Sequence, residues 1–140
     1  MAIKMRVLHA EKGKVAALAP MIHAEFGLDI NAIDKLPPAY SCNNERLVIL
    51  MLATKGDLDN QTRLFCRELT KARAQNVALV IDGNEAGANY VKQILAEAGT
   101  NVSDEVFYVK SRFLPFLNKI KDEEKAAALA WAHRIVDSLQ

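Results

Sequence analysis

Cysteine is scarce in this chain: Cys42 and Cys66 are the only two in 140 residues. Neither belongs to a CxxC pair or has a histidine beside it, so no metal site and no disulfide framework is expected, and both thiols are expected to stay reduced. Charge of one sign is lacking as well, since 18 Lys and Arg against 17 Asp and Glu leave a net charge of +1. Without a basic block there is no electrostatic footprint for nucleic acid and no attraction to anionic lipid, so neither is an expected partner. Long hydrophobic runs are missing too. The longest, Leu47 to Ala53 and Ala126 to Ala132, have seven residues each, far below the ~20 that span a bilayer. Near the start, Lys4 and Arg6 interrupt Ile3, Met5 and Val7, which leaves no continuous signal-peptide core and makes the cytoplasm the expected compartment. What remains is 51% hydrophobic and 25% charged, the composition of one ordinary domain over residues 1–140. A chain of this length buries about 68% of its unfolded surface on folding, enough for a core without staples.

Hydrophobic patterning gives the architecture. Met5 to His9, Leu47 to Ala53, Val77 to Ile81 and Val106 to Val109 read as buried strands, with helical patterns between them. That alternation predicts an α/β domain with a parallel sheet covered on both faces. Leu28 to Ile33 alternates apolar and polar residues, which predicts a second strand with one wet face, at an edge. The expected result is a three-layer sandwich with a five-stranded parallel sheet in the order 2-1-3-4-5. Helical stripes are expected at Val15, Leu18, Ala19, Ile22 and Phe26, with Pro20 kinking the helix or delaying its start. Further stripes are Leu58, Phe65, Leu69 and Ala72 behind a cap at Asp57 or Asp59, then Tyr90, Val91, Ile94, Leu95 and Ala98 ending at Gly99. The last helix starts near Asp122, and the spacing of Trp131, Ile135 and Leu139 predicts that Trp131 is core.

In such a sheet ligands bind beyond the carboxyl ends of the strands, where the winding reverses. Three glycine-containing loops meet there. The first supplies His9, Ala10, Glu11, Lys12, Gly13 and Lys14 as candidate ligand contacts. The second supplies Thr54, Lys55, Gly56 and Asp57, and the third Asp82, Gly83, Asn84 and Gly87. Glycines of this kind either let a ligand approach the backbone or close tight turns, and the sequence leaves both readings open. His9 is a candidate donor or base at the mouth of this rim, or simply the hydrogen-bonded end of a strand. Cys42 would be reactive if exposed, but no neighbouring base lowers its pKa, and no catalytic nucleophile is assigned.

The order and pattern of Ile3 to Leu139 resemble the flavodoxin family. The first strand feeding Lys14, Val15 and Ala16 resembles that family's first strand and helix; Tyr108, Val109, Lys110, Ser111, Arg112 and Phe113 resemble its fifth strand and exit, and Asp122 to Ala132 its last helix. The resemblance implies an FMN site whose phosphate is held by a loop of the pattern Ser or Thr, any residue, Thr, Gly, any residue, Thr, with aromatic residues in the next two loops flanking the flavin. In this chain only Gly13 matches the phosphate pattern, and no serine or threonine precedes Ser41. Lys55 stands where a stacking ring is expected, and the third loop has no aromatic before Tyr90. Across the rim Glu11, Asp57, Asp59, Asp82 and Glu85 oppose Lys12, Lys14 and Lys55, a balance that disfavours a phosphate. The expectation is a divergent flavodoxin-like domain with a degenerate phosphate loop and no tightly bound cofactor. The alternatives are an FMN electron carrier and a protein-interaction module that meets a redox or regulatory partner. A phosphoacceptor receiver site is not supported, because the strand ends that would carry its acids hold His9 and Ala53.

Overall fold

Strands buried on both faces have no place for a polar residue, and the unbroken apolar runs form the centre of the sheet. The computed structural model describes residues 4–54, 58–111 and 119–139. In chain order the elements are β1 (Met5–His9), α1 (Lys14–Glu25), β2 (Ile33–Lys35), β3 (Leu47–Ala53), α2 (Asn60–Arg67), β4 (Asn76–Asp82), α3 (Glu85–Ala98), β5 (Asn101–Val102), β6 (Phe107–Val109) and α4 (Asp122–Ser138). Every pairing is parallel, in the order β2-β1-β3-β4-β5, with β6 also on β4. β5 pairs with Asn76 and Val77 and β6 with Val80 to Asp82, so the expected 2-1-3-4-5 order holds, with its fifth position divided between two short strands. The sheet therefore has six strands rather than five.

Alternation in β3 sends Leu47, Ile49 and Met51 to one face and Val48, Leu50 and Leu52 to the other. The first set packs with Val15, Leu18 and Ile22 of α1 and Trp131 and Ile135 of α4. The second packs with Cys66 of α2 and Val91, Ile94 and Leu95 of α3. The three layers follow from this two-sided burial. Trp131 is fully buried, as its spacing predicts, and its indole Nε1 donates to the Glu105 carbonyl at 2.9 Å.

Four local expectations are corrected. The second strand is Ile33–Lys35, not Leu28 to Ile33. Residues 30–32 form a 3₁₀ turn closed by Ala32 N–H on the Asp29 carbonyl, which also accepts from His23 Nε2 at 2.8 Å, and Ile30 is left 84% exposed. Pro20 does not delay α1: the helix runs from Lys14, with Pro20 inside it on the exposed side. There the one backbone bond a proline removes is easily replaced by water. α2 ends at Arg67, so Leu69 is buried from the following turn and Ala72 is exposed. Tyr90 is 45% exposed and lies off the buried stripe of α3, which is Ala88, Val91, Ile94 and Leu95.

Candidate functional site

Parallel strands deliver all their carboxyl ends to one rim, and β1, β3, β4 and β6 end there at His9, Ala53, Asp82 and Val109. Gly13 precedes α1 at φ 85°, a backbone region that glycine enters freely. A Cβ on it would come within 2.8 Å of Ser111 Oγ and 3.2 Å of Asp82 Oδ2. The reason is a relay of hydrogen bonds across the rim. The first N–H of α1, on Lys14, donates to Ser111 Oγ at 2.9 Å. That hydroxyl in turn donates to Asp82 Oδ2, while Ser111 N–H donates to Asp82 Oδ1 at 2.9 Å. Asp82 is 7% exposed, so a carboxylate at the end of β4 is anchored beneath the start of α1. Beside it, Lys14 Nζ pairs with Glu124 at 3.2 Å, the two side chains 15% and 22% exposed. Small-ligand sites are clefts of about 300–1,000 Å³, and here a groove of about 610 Å³ opens between Lys14, Gly83, Tyr108, Ser111 and Glu124. Partial burial, and then the Glu85 carboxylate, push the Tyr108 phenol above its ordinary value, so it stays a neutral donor.

A second cluster lies across the rim. Thr54 donates its N–H to the Asp82 carbonyl at 3.1 Å, and its side chain is wedged against Gly83 and Gly87. Its Oγ1 is inaccessible and has no hydrogen-bond partner among the described residues. Asn84 caps α3, its side chain accepting from Gly87 N–H at 3.1 Å. Gly83 N–H donates to Val109 at 3.2 Å.

The candidate residues thus fall into groups. Gly13, Lys14 and Asp82 meet around Ser111; Thr54, Gly83 and Gly87 meet each other, with Asn84 at the helix start. His9 ends β1 with its Nδ1–H on the Ala10 carbonyl at 2.8 Å, and Glu11 turns aside to an exposed ion pair with Lys35 at 3.8 Å. Lys12 is exposed. Lys55, Gly56 and Asp57 lie outside the described residues. Ser111 and Glu124 are the participants that sequence reasoning missed. Ser111 follows the last strand at this same rim, and a fourth strand-end loop was the available signal. Among the described residues no three His, Cys, Asp or Glu side chains assemble as a metal-ligand set.

Several polar groups at this rim are already engaged by one another. A helix N-terminus binds a dianion through free N–H groups; the first of these in α1 is satisfied by Ser111, and Asp82 Oδ2 lies 3.2 Å from where a Cβ on Gly13 would sit. The cation of Lys14 is engaged by Glu124. The one buried hydroxyl without a partner among the described residues, Thr54 Oγ1, lies against Gly83 and Gly87.

A parallel sheet in the order 2-1-3-4-5 between two helical layers is the flavodoxin-like fold. Among solved structures the chain is similar to oxidised Flavodoxin 1 from Bacillus cereus, with a TM-score of 0.67 and 19% identity over 97% of this chain and 98% of that one. It is also similar to a flavodoxin of Streptococcus pneumoniae TIGR4, with a TM-score of 0.62 and 13% identity over 99% of this chain and 100% of that one. No family model and no curated protein sequence matches the chain. No helix among the described residues is long and apolar enough to cross a membrane.

Proposed function

We propose that this chain is a flavodoxin-like domain that has given up tight FMN binding and meets a protein partner, redox or regulatory, through its strand-end rim, in the cytoplasm. One observation supports the reading: the first N–H of α1, on Lys14, is taken by Ser111 Oγ, which is itself tied to the Asp82 carboxylate. On this reading a phosphate there would lose that donor and meet the negative charge of Asp82. The exposed ring at the edge of the groove, Tyr108 at 42% exposure, is of the kind that protein contacts use.

The test is direct. The purified protein is expected to be colourless, and titration with FMN, followed by quenching of flavin fluorescence, is expected to give a Kd weaker than about 10 µM, which is less than about 7 kcal/mol of binding free energy. Submicromolar quenching would overturn the reading. It would favour the second one, an FMN electron carrier, which the likeness to two flavodoxins recommends.

A further inference from the structure

The net charge of +1 conceals an uneven distribution. Residues 60–75, which are α2 and the turns after it, carry Arg63, Arg67, Lys71 and Arg73 against Glu68 alone, so the rest of the chain is net negative. The helical repeat sorts α2 into three faces. Thr62 and Cys66 are buried beneath it. Arg63 and Arg67, four residues apart, share a second face, Arg63 half-buried and Arg67 exposed, and Lys71 and Arg73 are exposed beyond the helix end. Leu64, Phe65 and Glu68 belong to the third face, and they line a groove of about 320 Å³ that Arg73 and, from the segment between β2 and β3, Pro37 and Pro38 line as well.

Positive charge and open apolar surface meet at this groove. Leu64 is 48% exposed and stands three residues before Arg67, which makes the two neighbours on the helix surface. Among the described residues Arg63, Arg67 and Lys71 make no ion pair. Arg63 Nη2 donates to Asn60 Oδ1 at 2.6 Å, a neutral partner that leaves its charge unanswered. Glu68, the one acid on the groove wall, faces Arg73 at 3.7 Å, and an exposed pair of this kind holds its partners weakly. Arginine beside an open leucine suits a partner that brings carboxylates and an apolar side chain together. Single-stranded nucleic acid needs open rings on which bases stack, whereas Phe65, the aromatic of this groove, packs against the core. A second copy of this chain is disfavoured too, because a two-fold contact sets the same positive face against itself.

We propose that the groove between α2 and the segment of Pro37 and Pro38 docks a short acidic segment of a protein partner, with carboxylates on Arg67 and Arg73 and an apolar anchor against Leu64. None of these residues belongs to the relay at the rim, so the proposal does not depend on the FMN reading.

The experiment uses the full chain and a short fluorescein-labelled peptide of glutamates around a pair of leucines, followed by fluorescence anisotropy. Saturable binding is expected with a Kd below about 100 µM in about 20 mM salt, weakening at least tenfold by about 300 mM as the charges are screened. Leu64→Ser and Arg67→Glu, both at exposed positions, are each expected to weaken it at least tenfold. Lys125→Glu, the same change of charge at an exposed position of α4 across the sheet, is expected to leave it within about threefold. No saturable signal at about 1 mM protein would overturn the proposal. Equal binding of a peptide with serines in place of the leucines would overturn it in favour of bare charge attraction, and equal binding of an oligonucleotide of the same charge in favour of nucleic acid. A dimer of the protein alone in sedimentation, dissolved by Leu64→Ser, would overturn it in favour of a second copy. The serine peptide is compared on the unmodified protein, so that arm stands even where a variant fails to fold.

Discussion

A methyl group on Gly87 would collide with Thr54, whose Cβ lies 2.7 Å from where the new atom would sit and whose Oγ1 is nearer still. Alanine is the better helix former by about 1 kcal/mol in a helix interior, so propensity alone favours Gly87→Ala. Overpacking against a stiff, β-branched neighbour outweighs it, and a net loss of about 1–3 kcal/mol is expected in urea denaturation. In a Thr54→Gly background, where the clashing atoms are gone, the same change should be close to neutral. Equal losses in both backgrounds would show that Thr54 is not the reason for the glycine. The two cysteines make a different residue-scale case. Both are buried; burial pushes the Cys66 thiol up to about 12, and pushes Cys42 up as well, against the opposing pull of Arg6. A thiol whose folded pKa is raised lends stability that is complete below its unfolded pKa. As pH climbs from there towards about 12, ionisation of the unfolded chain removes it. Stability should therefore fall on the alkaline side, and Cys66→Ala should flatten part of that fall; an unchanged slope would show that Cys66 titrates normally when folded.

At the scale of the element, α4 seats itself with few contacts. Its fully or nearly buried residues are Ala128, Trp131, Ala132 and Ile135, so the indole supplies most of the buried bulk. Its ring also lies 6.0 Å from that of Phe107, and its N–H bonds to Glu105 in the segment between β5 and β6. Trp131→Ala is expected to cost about 3–5 kcal/mol. Trp131→Phe, which keeps a ring but strips Glu105 of its donor, should cost about 1–3 kcal/mol. A loss within about 0.5 kcal/mol for the alanine variant, as at an indifferent surface site, would contradict this seating. The Trp131 position was legible because a four-residue spacing in a long helix is repeated several times. β3 and β4 were legible because no polar residue interrupts them. β2 was not, since the pairs Leu28–Asp29 and Ile30–Asn31 satisfy a strand pattern while local bonds from His23 and Ala32 to the Asp29 carbonyl hold those residues in a turn. The boundary of α2 failed for a similar reason: Leu69 keeps the helical spacing although it is buried from beyond the helix end.

Across the whole molecule, the rim settles its polar groups with residues far apart in the chain, and only part of this was readable beforehand. The missing hydroxyls between His9 and Lys14 are visible in a short stretch of sequence. The hydroxyl that takes their place comes from Ser111, 97 residues from Lys14 and 29 from Asp82, and a contact at that separation leaves no local pattern. It changes what a repair of the phosphate loop must do. Replacing residues 9–14 with a hydroxyl-rich loop adds donors but leaves Ser111 on the first N–H of α1 and the Asp82 carboxylate beneath it. The loop exchange alone is therefore expected to leave the Kd for FMN weaker than about 10 µM. Adding Asp82→Asn removes the buried negative charge while keeping an acceptor for Ser111, and should tighten binding at least tenfold, or about 1.4 kcal/mol. Flavin fluorescence gives both affinities, and circular dichroism verifies that each variant is folded. If the loop exchange by itself reached submicromolar affinity, the relay would not be the obstacle. If the combination gained nothing, the greater defect would be the missing stacking rings of the second and third loops, because charge and donors at the phosphate position would both have been put right.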